Sequence, residues 1–163
     1  MTPQTDIAAV RKSISVRAGV ERAFRAFTAE IDSWWPRDHH IGTGTPKQGY
    51  IQGHVGGRCY TEFTDGSECD WGRVLVWEPP SRLVLGWLID ANFKYDPDLS
   101  RTSEVEVRFT PQADGTTRVD LEHRHFERMG EGGKNMRMMV EAPGGWGDLL
   151  ELYAAYVDKG EGR

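Results

Sequence analysis

Residues 72–87 read GRVLVWEPPSRLVLGW, two apolar runs of strand length separated by Glu78-Pro79-Pro80-Ser81. Proline donates no ladder hydrogen bond, so the break is a turn and the two runs fold back on each other as a hairpin. Closing the hairpin at that turn pairs Val76 with Leu83, Val74 with Leu85, and Gly72 with Trp87. Strand side chains alternate between faces, so Val74, Leu85 and Trp87 share the inward face. Trp71, Leu75, Trp77, Val84 and Leu88 then share the opposite one. That strip is too apolar to meet water, so either a bulge reverses the alternation or a second copy of the chain covers it as a homodimer contact.

The same reasoning extends upstream. Asp65-Gly66 is a two-residue hairpin signal, which places Cys59 opposite Gly72 and Cys69 opposite Glu62. The two thiols are not partners, and no disulfide is expected. By alternation Glu68 and Asp70 turn inward with Gly72. Downstream, Ala113-Asp114-Gly115 closes a further hairpin that pairs Phe109 with Val119, Val107 with Leu121, Val105 with His123, and Ser103 with His125. Both imidazoles therefore share a face with Val119 and Leu121.

The flanks change period. Val10, Ile14 and Val16 mark a first strand, whereas Val20, Ala23, Phe24 and Phe27 fall on one helical stripe. A second short helix carries Ile31, Trp34 and Trp35 and stops at Pro36. Residues 37–49, RDHHIGTGTPKQG, read as a surface loop. After Gly130–Gly133 a short helix runs to Glu141, Pro143-Gly144-Gly145 breaks it, and Trp146, Leu149, Leu150, Tyr153, Tyr156 and Val157 form the stripe of a terminal helix.

The chain has 163 residues, 38% of them hydrophobic, which suits one α+β domain over 1–163 with its core in 8–158. The net charge of -5 comes with scattered basic residues, which argues against nucleic acid. No apolar run approaches a membrane span and the first residues lack a signal peptide's apolar region, so a cytoplasmic location is expected. Two cysteines are too few for a thiolate metal site. His39, His40 and His54 are scattered imidazoles without metal-ligand spacing; neither a metal nor a cofactor is expected.

The order of elements, with SWWP (33–36), VGGR (55–58), GRVLVWEPPSRLVLGW (72–87), TRVDLEHRH (117–125) and GGWGDLLELYAAY (144–156), resembles the SRPBCC (START, Bet v 1-like) superfamily. Within it the chain is similar to the group named after the activator of heat-shock protein 90 ATPase. The resemblance implies a helix-grip fold: a curved antiparallel sheet of six to seven strands wrapped around a long C-terminal helix, with two short helices after the first strand. It also implies a cavity between sheet and helix. Members of the superfamily bind lipids, steroids, polyketides or plant phenolics, and a few catalyse cyclisation or aromatic hydroxylation.

The leading expectation is therefore a protein that binds a small apolar molecule. Its cavity is expected to be walled by Trp34, Trp35, Val74, Leu85, Trp87, Val105, Val107, Leu121, His123, His125, Trp146, Leu150 and Tyr153. The alternative is a cyclase- or hydrolase-like enzyme in which His123, His125, Glu68 or Asp70 serves as general acid or base, both imidazoles and at least one of the two carboxylates meeting at the wide end of the cavity. A third reading, contact with a chaperone as an ATPase activator, rests on the group's name alone. The eponymous activator carries a further N-terminal domain, and this sequence starts close to its first strand.

Overall fold

A computed structural model describes residues 7–159. Seven antiparallel strands form one curled sheet, ordered β1-β7-β6-β5-β4-β3-β2. They are β1 Val10–Val16, β2 Pro46–Ile51, β3 Arg58–Phe63, β4 Glu68–Glu78, β5 Arg82–Trp87, β6 Ser103–Pro111 and β7 Thr117–Arg124. The first strand pairs with the last, so the chain between β1 and β2 crosses from one sheet edge to the other. That crossing carries α1 (Val20–Phe27) and a 3-10 turn at Ile31–Ser33. Two helices, α2 (Gly133–Glu141) and α3 (Trp146–Lys159), end the described chain. The loop expected over 37–49 is shorter than that, because β2 begins at Pro46. It is an edge strand, where a proline is tolerated.

The concave face of the sheet closes on α3, which buries Trp146, Leu149, Leu150, Tyr153, Ala154 and Val157. Each large side chain in that set contributes roughly 1.5–3 kcal/mol by leaving water. Phe24 and Phe27 of α1 complete the cluster: Phe27 meets Tyr153 at 5.3 Å and Phe109 of β6 at 6.0 Å between ring centroids.

The hairpins form where the sequence puts them, but β4 contains two extra residues. Against β5 it pairs Gly72 with Trp87 and Val74 with Leu85 as expected; Leu75 is then skipped, so Val76 opposes Val84 and Trp77 opposes Leu83. Against β3 it pairs Gly72 with Cys59; Trp71 is skipped, so Asp70 opposes Tyr60 and Cys69 opposes Thr61 rather than Glu62. Each bulge reverses the alternation beyond it. Trp77 consequently turns into the core, edge-on to Phe24 at 5.1 Å. Trp71 also turns inward and stacks on Trp35 at 6.0 Å with 11° between planes.

The apolar strip that suggested a homodimer is therefore not an exposed strip. Trp71 and Trp77 face the interior, and Val84 and Leu88 are 2% and 1% exposed. The chain itself crosses the outer face beside them: a methyl at Gly86 would lie 3.3 Å from Leu99 Cδ2, 3.5 Å from Thr102 Cγ2 and 3.6 Å from Leu75 Cδ1. No apolar face made of these five residues is left for a second copy.

Elsewhere the outer face is polar. Glu106 of β6 is 3% exposed and takes hydrogen bonds from Arg82, Arg108 and Arg124 of three strands. Burial by itself would raise its pKa, but the guanidinium bonds outweigh burial and hold the carboxyl at about 2, against an ordinary 4.5. The carboxylate is thus bound more tightly in the fold than in the unfolded chain, so its contribution is whole above about pH 4.5 and is lost as pH falls toward 2. Replacing Glu106 with Gln should flatten the acid limb of the stability profile by about 2 kcal/mol between about pH 6 and pH 3. Urea unfolding of both proteins across that range measures it, and parallel profiles would refute the assignment.

Candidate functional site

Three tryptophans from three separate elements converge at one end of the sheet. Trp35 follows the 3-10 turn and is fixed by Pro36, Trp87 is the last residue of β5, and Trp146 is the first of α3. Trp146 stands 6.0 Å from Trp35 and 5.6 Å from Trp87, tilted by 67° and 62°. Beside them opens a cavity of about 460 Å³, within the usual range for a small-molecule site. Ile41, Ile89, Phe93, Met139, Val140 and Leu149 extend its apolar wall, and Asp38, His39 and His40 supply polar groups.

The α2–α3 turn sets its rim. Gly144 has φ +89°, and a Cβ at Gly145 would lie 2.1 Å from the Val140 carbonyl oxygen, so both positions require glycine. His39 spans from the facing loop to this turn: its Nε2–H donates to the Gly144 carbonyl at 3.0 Å, and Nδ1 lies 2.9 Å from Asp38 Oδ1. The Asp38 carboxyl is held below the usual carboxylate range chiefly by the His39 hydrogen bond. On the turn's other side, the Gly144 N–H donates to Asp148 Oδ2 at 2.6 Å.

Two of the three cavity indoles are anchored through their N–H groups. Trp35 Nε1–H donates to the His39 carbonyl at 2.7 Å, and Trp146 Nε1–H donates to His123 Nδ1 at 3.0 Å. Because Nδ1 accepts, the ring proton of neutral His123 sits on Nε2, which donates to Ser103 Oγ at 2.8 Å. His123 is fully buried with no carboxylate beside it, and burial lowers its pKa to about 3. It acts as a neutral spacer that aims Trp146 and does not itself line the cavity. Trp87 differs from both neighbours, since its buried Nε1 has no hydrogen-bond partner among the described residues.

Other expected residues take different places. Trp34, Val74, Leu85, Val105, Val107, Leu121, Leu150 and Tyr153 are packed core. Trp34 donates to the Ala26 carbonyl and Tyr153 to the Ala23 carbonyl, leaving neither polar atom free.

The expected acid–imidazole cluster is not assembled. β7 ends at Arg124, and His125 adopts a left-handed backbone with φ 66°, which turns its ring out to within 3.5 Å of Glu127 and 3.9 Å of Glu104. Glu68 and Asp70 lie beyond the Trp71 bulge, so they point to the outer face instead of the inner one. There both grip Arg58, at 2.9 and 2.6 Å, and Arg58 lies over the Tyr60 ring. Among the described residues no group of three or more His, Cys, Asp and Glu side chains gathers to hold a metal ion.

His39 and His40 had only a metal role to suggest in the sequence, and none of the wall residues Ile41, Ile89, Phe93 and Met139 was foreseen. Met136, Met139 and Val140 do fall at helical spacing in α2, which was the one signal available.

Known proteins match this architecture. The sequence fits the family described as activator of Hsp90 ATPase homolog 1-like protein over residues 17–158. Among solved structures, the anthrahydroquino-γ-pyrone synthase Txn09 is 39% identical with a TM-score of 0.64, the match covering 93% of this chain and 97% of that one. The self-sacrificing resistance protein CalC from Micromonospora echinospora is 27% identical with a TM-score of 0.67, over 98% of this chain and 100% of CalC. DynU16, of the dynemicin biosynthetic locus, is 22% identical with a TM-score of 0.59; this chain covers 48% of it, and the likeness is one of fold. No curated protein matches the sequence.

The neutral His123 has a measurable signature. Its folded form resists a proton that the unfolded chain accepts, so this source of stability is whole above about pH 6.5 and declines as pH falls toward 3. In 15N NMR its ring should show the Nε2–H tautomer without titrating between about pH 8 and pH 5. Trp146→Phe, which leaves Nδ1 unpaired, should cost about 1–3 kcal/mol. An ordinary histidine titration would overturn the assignment.

Proposed function

This chain belongs to the family of activator of Hsp90 ATPase homolog 1-like proteins, and from that footing we propose that it binds a flat, mainly apolar small molecule against Trp35, Trp87 and Trp146. The observation that carries the reading is the chemistry of the cavity: about 460 Å³, walled mostly by indoles and aliphatic side chains, with Asp38, His39 and His40 as its polar side chains. Indole faces and edges favour aromatic rings, through stacked or edge-on contacts worth about 0.5–1.5 kcal/mol beyond area burial. Likeness to a pyrone synthase and a resistance protein supports a ligand of the aromatic natural-product kind.

A second reading, ring closure on the bound molecule, is favoured by the likeness to Txn09. In this chain the group suited to proton transfer is the Asp38–His39 pair at the rim, rather than His123, His125, Glu68 or Asp70. A chaperone-activating role draws support from the family's name only.

Equilibrium dialysis against 9,10-anthraquinone tests the first reading. Saturable binding to one site is expected, and Met139→Trp, which fills the cavity from α2, should weaken it at least tenfold while thermal unfolding stays cooperative. Affinity unchanged by the filled cavity would place the ligand elsewhere and defeat the proposal.

A further inference from the structure

A molecule entering the cavity meets a definite set of hydrogen-bonding side chains, and no donor among them is available to it. The described residues that line the space include no Lys, Arg, Ser, Thr, Tyr, Asn or Gln, so the side-chain donors are three indoles and two imidazoles. Trp35 donates to the His39 carbonyl at 2.7 Å and Trp146 to His123 Nδ1 at 3.0 Å, while Trp87 Nε1 is sealed from solvent. His39 donates through Nε2 to the Gly144 carbonyl at 3.0 Å, and its Nδ1 faces Asp38 Oδ1 at 2.9 Å. Backbone groups of the rim are committed as well: the N–H groups of Phe93, Gly144 and Gly145 go to the Asp90 carbonyl, the Asp148 carboxylate and the Ala142 carbonyl.

Acceptors remain. His40 Nδ1 lies 3.2 Å from the Ile41 carbonyl, and because a carbonyl only accepts, Nδ1 holds the ring proton and Nε2 of the neutral ring presents a lone pair. That Nε2 has no hydrogen-bond partner among the described residues and, unlike Trp87 Nε1, is not sealed from solvent. His40 is half-buried, deeper than the exposed Asp38 and His39 beside it. Asp38 adds carboxylate oxygens at the mouth, and with no Lys or Arg in the lining an anionic ligand finds no cation of that kind to pair with.

We infer that His40 Nε2 accepts a hydrogen bond from the ligand, so that the ligand is a neutral aromatic hydroxyl compound, a phenol, rather than a carboxylic acid or a hydrocarbon. This rests on the proposed binding of a flat, mainly apolar molecule in the same cavity. A carboxylate would bring acceptors to acceptors, and a hydrocarbon would strip Nε2 of water without replacing the bond, which costs free energy. A phenolic O–H supplies the missing donor while its ring lies against the indoles. His40 thereby sets specificity, and Trp35 and Trp146, whose N–H groups are committed within the protein, supply shape.

Calorimetry at about pH 8, where imidazole is uncharged and naphthols keep their proton, compares 2-naphthol with 2-methylnaphthalene, two bicycles of similar outline of which only the first donates. His40→Leu should weaken 2-naphthol about five- to tenfold and leave 2-methylnaphthalene unchanged, and His40→Gln, whose Oε1 accepts, should keep most of the wild-type affinity. On the unmutated protein, the 15N resonance of His40 Nε2, identified by the ring's position 5.5 Å from Phe63, should move upfield with 2-naphthol and stay in place with 2-methylnaphthalene. This second measurement stands even if a variant fails to fold. An unmoved resonance, with a His40→Leu protein that loses both naphthalenes equally or neither, overturns the inference and leaves the cavity proposal intact. Failure of both naphthalenes to bind the wild type overturns the two together.

Discussion

Side chains on a strand have two faces to choose from, and one additional residue exchanges them. In β4 this happens at Trp71 and again at Leu75, and most of what distinguishes this molecule follows. The first bulge brings Trp71 behind Trp35 and sends Glu68 and Asp70 outward to Arg58. The second brings Trp77 onto Phe24. An unbroken alternation would have left two indoles in water and two carboxylates in the core, so the energetic sense of both bulges is plain. Burying an aromatic side chain gains kilocalories, whereas an ionised carboxylate in an apolar interior costs them.

Polar groups inside this fold are mostly paired, Arg73 Nε and Trp87 Nε1 being buried exceptions among the described residues. Trp146, His123 and Ser103 form a chain in which each donor meets an acceptor, and burial keeps the imidazole uncharged. Under the outer surface, Glu106 keeps its charge because three guanidiniums surround it. Burial opposes charge at both places. Partners decide the outcome, since Glu106 has cations within hydrogen-bond reach and His123 has no anion. Against that background, Trp87 Nε1 is a buried donor with no acceptor among the described residues.

Family membership and cavity fit together without requiring a common activity. Txn09 and CalC share the sheet and terminal helix while one is a synthase and the other a resistance protein, so the scaffold tolerates different uses of its interior. In this chain the middle of the grip is filled by Phe24, Phe27, Trp34, Phe109 and Tyr153, whose rings pack edge to face or tilted. The end holding Trp35, Trp87 and Trp146 is bounded by a loop and by the α2–α3 turn, which His39 ties together. The cavity is lined by regular elements, through Trp87, Met139 and Leu149, and by loop residues such as His39, Ile41 and Phe93, where chains of one fold differ most easily.

The sequence by itself determined the elements that have a period or a turn signal. Val20 to Phe27 had to be a helix, Asp65-Gly66, Pro79-Pro80 and Asp114-Gly115 had to be hairpin turns, and the stripe from Trp146 had to bury against the sheet, because these follow from local geometry and from apolar area. Motif resemblance supplied the grip. Only the tertiary structure decided the parity of β4, since a bulge carries no obvious residue signature and exchanges every face beyond it. The end of β7 was likewise a matter of tertiary context: His125 leaves the ladder in a left-handed conformation that no period announces. The cavity depended on both. Trp35, Trp87 and Trp146 were legible as large apolar residues at element ends, but whether an indole fills a core or walls a space depends on what arrives opposite it. Here the arrivals are His39, Ile89, Phe93 and Met139, from three stretches of chain that packing brings together, and sequence spacing conveys nothing of that meeting.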